Sequence, residues 1–144
     1  LGGFFSSIFW YLIMNSIELP IYWTQHYKTK KDKTILVGMN WYRNAHYYSK
    51  NAMKKDFHEL VHKQVGNVQY TGQFKLELSI YYKNPTCDGA NIAALIEKFT
   101  LDALQDSQVI VNDNVNYHKG SSWKIIAQDK DNPRCLVKIT TIDE

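Results

Sequence analysis

The stretch FKLELSIYYKNPTCDGANIAALIEKFTLDALQ, residues 74–105, decides the fold class. Its first part alternates: Phe74, Leu76, Leu78, Ile80 and Tyr82 are separated by Lys75, Glu77, Ser79 and Tyr81, with Lys83 following. Side chains on a strand point to opposite faces in turn, so this is a strand with one buried face. NPTCDG, residues 84–89, has the composition of a loop. From about Ala90 to Gln105 the period becomes helical, with Ile92, Ile96, Phe99 and Ala103 on the side that faces a core.

The flanking chain repeats both patterns. Residues 17–24 and 34–39 are rich in strand formers, and the polar, basic QHYKTKKDK between them suits a hairpin loop. NWYRN, residues 40–44, is predicted as a turn or loop. A helix is predicted over 45–65, with Met53, Phe57, Leu60, Val61 and Gln64 on one face and Gly66 as its stop. Residues 109–111 predict a short strand running into Asn112, Asp113 and Asn114. Residues 122–128 and 135–142 predict two more strands, joined by the turn DKDNPR. The expected class is therefore α+β: a mixed β-sheet packed with two main helices.

With 144 residues, the chain fits one domain able to bury its own core. The net charge of +3 is modest, but the basic groups are concentrated. Lys28, Lys30, Lys31 and Lys33 cluster, and Arg43, Lys50, Lys54, Lys55 and Lys63 follow. Tyr22, Trp23, Tyr27, Trp41, Tyr42, Tyr47 and Tyr48 lie among them. Cations beside aromatic rings suit nucleic acid, through phosphate neutralisation and base stacking. A solvated basic face over core aromatics accounts for the same residues. Cys87 and Cys135 form no metal-type pair and no disulfide framework, which points to a reducing, cytoplasmic setting. Residues 1–13, LGGFFSSIFWYLI, carry no charge, are too short to span a bilayer and lack the basic start of a signal peptide. They read as an apolar extension or upstream remnant before Met14, with a surface- or partner-binding segment as the rival; no membrane partner is expected.

Polar groups interrupt the 90–105 helix at regular intervals. Asn91, Lys98 and Asp102 project within about 40° of one another, and Asp88 precedes the first turn, where free N–H groups favour a carboxylate. Glu97 points elsewhere, and Asp113 ends the short strand that follows. Carboxylates with a lysine suit magnesium-assisted phosphodiester chemistry. A plain N-cap at Asp88 and a Lys98–Asp102 pair one turn apart explain them equally.

CDGAN, EKFTLDALQ and VIVNDN together resemble the core signature of RusA-like Holliday junction endonucleases, a family encoded by many phages and prophages. MNWYRN, residues 39–44, and the closing PRCLVKITT also resemble that family. The likeness covers roughly residues 17–142 and is strong over 87–114. It implies a single RusA-like domain over 14–144, acting as a homodimer that cuts four-way-junction DNA with Mg²⁺, or Mn²⁺ in its place. It implies Asp88, Lys98 and Asp113 as catalytic, Asp88, Asn91, Asp102 and Asp113 as metal ligands, and Lys98 as the group that stabilises transition-state charge or orients water. Asn40, Trp41, Tyr42, Arg43, Lys50 and Lys54 are the implied DNA contacts. Two departures stand out. Ala90 occupies the place of the family's second aspartate, and an extra helical turn separates Asn91 from Lys98. Asp102 or the Asn91 carbonyl is the substitute ligand; without one, the expectation becomes a junction- or single-strand-binding protein that does not cut.

A competing motif is HELVH, residues 58–62. Two histidines one helical turn apart with an intervening glutamate suit a zinc peptidase, with His58 and His62 as ligands and Glu59 as base. The third ligand would be His118 or a distant carboxylate. A basic face formed by Lys54, His58 and His62 explains the same spacing.

Overall fold

The computed structural model describes residues 16–142. The apolar stretch 1–13 lies outside the described residues. The strand expected over 74–82 is the hub. Strand β4 (Gln73–Tyr82) lies between β6 (Arg134–Ile142), antiparallel to it, and β5 (His118–Gln128), parallel to it. β1 (Ser16–Pro20) pairs antiparallel with the far side of β6, giving the order β1-β6-β4-β5. β5 and β6 are consecutive but not neighbours. Their connecting turn passes the end of β4, where Asp129 N–H donates to Tyr82 O at 2.7 Å. Arg134 holds that turn: its guanidinium reaches Asp129 at 2.8 Å and Glu18 of β1 at 3.1 Å, and lies over the Tyr81 ring. This arginine holds the Asp129 carboxyl below its ordinary range.

The alternating pattern does what the sequence implies. Phe74, Leu76, Leu78 and Ile80 are buried while Lys75 and Glu77 face solvent. Among the described residues three helices accompany the sheet: α1 (Met39–Asn44), α2 (Tyr47–Val65) and α3 (Gly89–Asp106). Ile92, Ile96, Phe99 and Ala103 of α3 are all buried. Phe99 stacks on Phe57 of α2, with ring centroids 5.2 Å apart, and meets the edge of Tyr42 at 5.6 Å. Gly66 caps α2 with φ 57°, where a glycine is favoured. On α2, Val65 rather than Gln64 completes the buried stripe of Met53, Phe57 and Val61. Gln64 points out to β1 instead, with its side-chain amide bonded to both the N–H and C=O of Glu18 at 2.8 Å.

Four expectations need correction. NWYRN is not a loop but most of α1. The strand expected over 17–24 breaks at Ile21: its first half joins the main sheet as β1, and β2 (Tyr22–Gln25) pairs with β3 (Lys33–Leu36) as a separate ribbon. Pro20, with no N–H to donate, marks the break. The strand expected over 109–111 is a single bridge, Ile110 to Tyr70. Val109 and Ile110 both turn their N–H groups back to Leu104 O, so the chain wraps the end of α3 instead of extending. The strand expected from 122 begins earlier, at His118.

Candidate functional site

Two of the predicted site residues are built into one corner. Asp88 is the N-cap of α3: its Oδ1 accepts from the N–H groups of Ala90 at 3.1 Å and Asn91 at 3.3 Å. The carboxylate remains solvent-exposed. Asn91, one turn into the helix, caps a different one. Its Oδ1 accepts from the backbone N–H of Asn40 at 2.7 Å. That N–H belongs to the first turn of α1, whose own N-cap, Gly38, has no side chain to offer. A β-carbon at Gly38 would collide with the Asn91 amide, lying 2.8 Å from its Cγ. Asn91 therefore does in trans what a serine or aspartate at residue 38 would do locally. The consequence is that Asn40, Trp41, Tyr42 and Arg43 are fastened beside the Asp88 end of α3.

An unpredicted residue completes this corner. Trp123 of β5 lies against the first turn of α3, so close that a β-carbon at Gly89 would sit 2.6 Å from its Cζ3. Gly89 is the residue that admits the indole, and Ile125 lies beside it. The available signal was the run Trp123, Lys124, Ile125 and Ile126, which is apolar at both strand parities and so fits no one-faced strand.

Lys98 and Asp102 form the expected pair, Nζ to Oδ2 at 3.2 Å. They face α2, and together with Lys54 and Asp106 they act electrostatically on His58. They do not join Asp88. Fourteen residues separate Asp88 from Asp102, which is about 21 Å along a helix axis. Asp113 is also remote. The Ile110 N–H is 3.4 Å from Leu104 O, at the far end of α3. Three further residues reach at most about 10 Å back along a helix on which Leu104 and Asp88 stand about 24 Å apart. Among the described residues, no three His, Cys, Asp or Glu side chains gather as a metal-binding group. Within the chain the donors expected for magnesium, Asp88, Asn91, Asp102 and Asp113, therefore do not form one site. The angular coincidence along the helix is real, but the axial rise separates its members.

The HELVH residues are engaged between helices. His58 Nδ1 lies 3.2 Å from Asp106 Oδ2, and His62 Nδ1 is 3.0 Å from Ser107 Oγ. Burial holds the His58 imidazole below its ordinary value near 6.5. The Asp106 carboxylate pulls the other way but is largely exposed, so solvent screens it and burial wins. His118, one of the two expected sources of a third ligand, bonds Ser121 at 2.8 Å and stacks on Phe74.

The basic, aromatic surface lies mainly on the β2–β3 ribbon and the α1–α2 junction. A hollow of about 570 Å³ is lined by Gln25, Tyr27, Lys33, Asn40, Trp41 and His46, among others. Lys28, Lys30 and Lys31 are exposed on the ribbon loop, and Lys30 lies over the Tyr27 ring at 4.3 Å. Of the predicted contacts, Arg43 is exposed, Asn40 and Trp41 reach the hollow, and Lys50 covers the Tyr42 ring at 5.3 Å. The Tyr42 ring itself is committed to Phe99. Lys54 is half-buried beside His58.

No protein-family model matches the chain, and no curated protein matches it either. Among the described residues no helix is long and apolar enough to cross a membrane.

Proposed function

We propose that the protein is an endonuclease of the RusA-like type, acting on branched DNA as a homodimer. One observation carries the reading. The Asn91–Asn40 bond sets the segment that resembles the family's DNA-contacting region against the helix turn that bears its first acidic residue, Asp88. Arg43 and the ribbon lysines are exposed cations that can neutralise phosphates, and the Asp88 carboxylate is exposed as well. The resemblance implies Mg²⁺, which would supply electrophilic activation of the phosphodiester. The carboxylates of one protomer are too dispersed to hold it, so the residues of a single chain account for DNA positioning and not for the whole reaction.

A second reading, a junction-binding protein that does not cut, is favoured by two specific features. Ala90 stands where the family has a carboxylate, and the Asn91 carbonyl is already committed to Asn40. A labelled four-way junction and a matching linear duplex, each incubated with and without Mg²⁺, separate the readings. The expected result is paired nicks in the junction alone, dependent on Mg²⁺. Asp88→Asn should bind and not cut, because asparagine caps a helix as well as aspartate does and leaves α3 intact. Tight junction binding with no nick by the unaltered protein selects the second reading. Failure to prefer a junction over duplex removes both.

A further inference from the structure

The chain gathers its positive charge where it leaves aromatic rings uncovered. Residues 22–50 hold six lysines and arginines against one acid, Asp32, a net +5 where the whole chain carries +3. This segment builds the β2–β3 ribbon, α1 and the start of α2, and it alone lines the hollow of about 570 Å³, with no acid among the lining residues. The volume is that of a small-molecule site. Neutral donors are held at its wall. Gln25 Oε1 accepts from the Tyr27 hydroxyl at 2.9 Å and the Ser49 hydroxyl at 3.0 Å, which fixes the amide and leaves its NH₂ as a donor. His46 Nδ1 accepts from the Tyr48 N–H at 3.3 Å, so in the neutral ring Nε2 carries the proton. Trp41 packs against Trp23 at 6.2 Å, and the Trp23 indole N–H is itself held by Asp56 at 2.7 Å. From the hollow the rings continue outward. His46 stacks on Tyr48 at 5.3 Å, and Tyr48 meets Tyr47 edge-on at 5.6 Å. Tyr48 is 74% exposed and Tyr47 68%, and neither belongs to the core.

We propose that this hollow takes an unpaired base of a single-stranded nucleic acid, and that the exposed rings of Tyr47 and Tyr48 carry the base beside it. Three features argue for that occupant. Every base has a π-face, and exposed rings next to cations are what a strand stacks on. Lys33 lines the hollow and Lys30 and Arg43 stand exposed nearby, so phosphates on either side of the base find charge. The Gln25 amide and the His46 Nε2 are hydrogen-bond donors of the kind that a base edge accepts. A duplex would use the cations alone, because its bases are stacked on one another and spend their edges in pairing. An acidic peptide would also use the cations and leave the rings idle. The inference goes beyond the nuclease reading and stands without it: it involves no metal, no junction and no cut.

Fluorescence anisotropy in EDTA, at fixed salt, tests the site apart from any cleavage. The probes are a labelled thymidine dodecamer, an abasic dodecamer with the same phosphates, and a duplex of equal length. The unaltered chain should bind the thymidine strand about tenfold more tightly than either control. Equal binding of the thymidine and abasic strands would show that phosphates alone are held and would overturn the proposal, as would equal binding of the duplex. A uridine dodecamer distinguishes the two sources of such a strand; if neither the deoxyribose nor the ribose strand exceeds its abasic counterpart, the site is overturned. Tyr47→Ala combined with Tyr48→Ala should lose about tenfold on the thymidine strand and nothing on the abasic one, while the matching pair of phenylalanine changes should keep the affinity. Gln25→Leu should weaken the thymidine strand alone. A thymidine preference that survives both the alanine pair and Gln25→Leu would overturn the placement of the base in this hollow. Both tyrosines are exposed, so the alanine pair should fold, and its urea midpoint checks that it does.

Discussion

The contact between Asn91 and the first turn of α1 predicts a stability effect whose sign depends on residue 38. Asn91→Ala removes the acceptor for the Asn40 N–H, 2.7 Å away, and leaves α1 with no side-chain cap. Loss of a good cap costs about 1 kcal/mol, or about 3 °C in melting temperature for a chain of this size. Gly38→Ser alone should also destabilise, because its β-carbon meets the Asn91 Cγ at 2.8 Å and the amide has to move. Backbone strain is not the cause: Gly38 has φ −158° and ψ 152°, an extended conformation open to any residue. Together the two changes should compensate. With alanine at 91 the space above residue 38 is open, and a serine there can cap Asn40 locally. Urea unfolding of the four proteins reads the cycle from the midpoints, with an unchanged slope as the condition for comparing them. The double variant should lie within about 0.5 kcal/mol of the unaltered protein, against about 2 kcal/mol if the losses add. An additive result would refute the exchange of one cap for another.

Phe99→Ala removes the ring that stacks on Phe57 and receives Tyr42, and should cost about 3–5 kcal/mol in the same unfolding assay; a loss under 1 kcal/mol would deny it a central place in the core. His58 is held neutral by burial below its ordinary value near 6.5. The unfolded chain therefore takes up its proton first as pH falls, and the stability owed to this residue, present above 6.5, drains away as pH goes down toward the folded value. Unfolding free energy measured across that range should fall less steeply in His58→Gln; an unchanged slope would place the pH dependence elsewhere. Both cysteines are free, Cys135 fully buried with its thiol pushed up to about 12 and Cys87 half-buried with its thiol raised mainly by burial. Alkylation at mild alkaline pH followed by mass analysis should label Cys87 alone until denaturant is added; prior labelling of Cys135 would contradict its burial.

The elements legible in the sequence are those whose signal is local and periodic. Phe74 to Tyr82 alternates because one face of β4 meets the helices and the other meets water. The Ile92, Ile96, Phe99 and Ala103 side of α3 is visible for the same reason. α1 was not legible because what starts it lies 51 residues downstream: nothing local to Gly38 caps Asn40, and Asn91 does. The break at Ile21 was hidden because both halves of 17–24 are strand-forming, and only pairing assigns them to different partners. The bridge at Ile110 fell short of a strand because Leu104 O captured the neighbouring N–H groups, a choice made by the helix end and not by the valines.

For the candidate site the limit is one of dimension. A helical projection keeps angle and discards height, so Asn91, Lys98 and Asp102 appeared as one group although the helix carries its two ends into different surroundings. The Asp88–Asn91 turn lies against α1 and Trp123; Lys98 and Asp102 act electrostatically on His58 of α2. Height explains the rest. A unit in which strand, helix and return alternate direction must place the loop before the helix and the loop after it at opposite ends of the sheet.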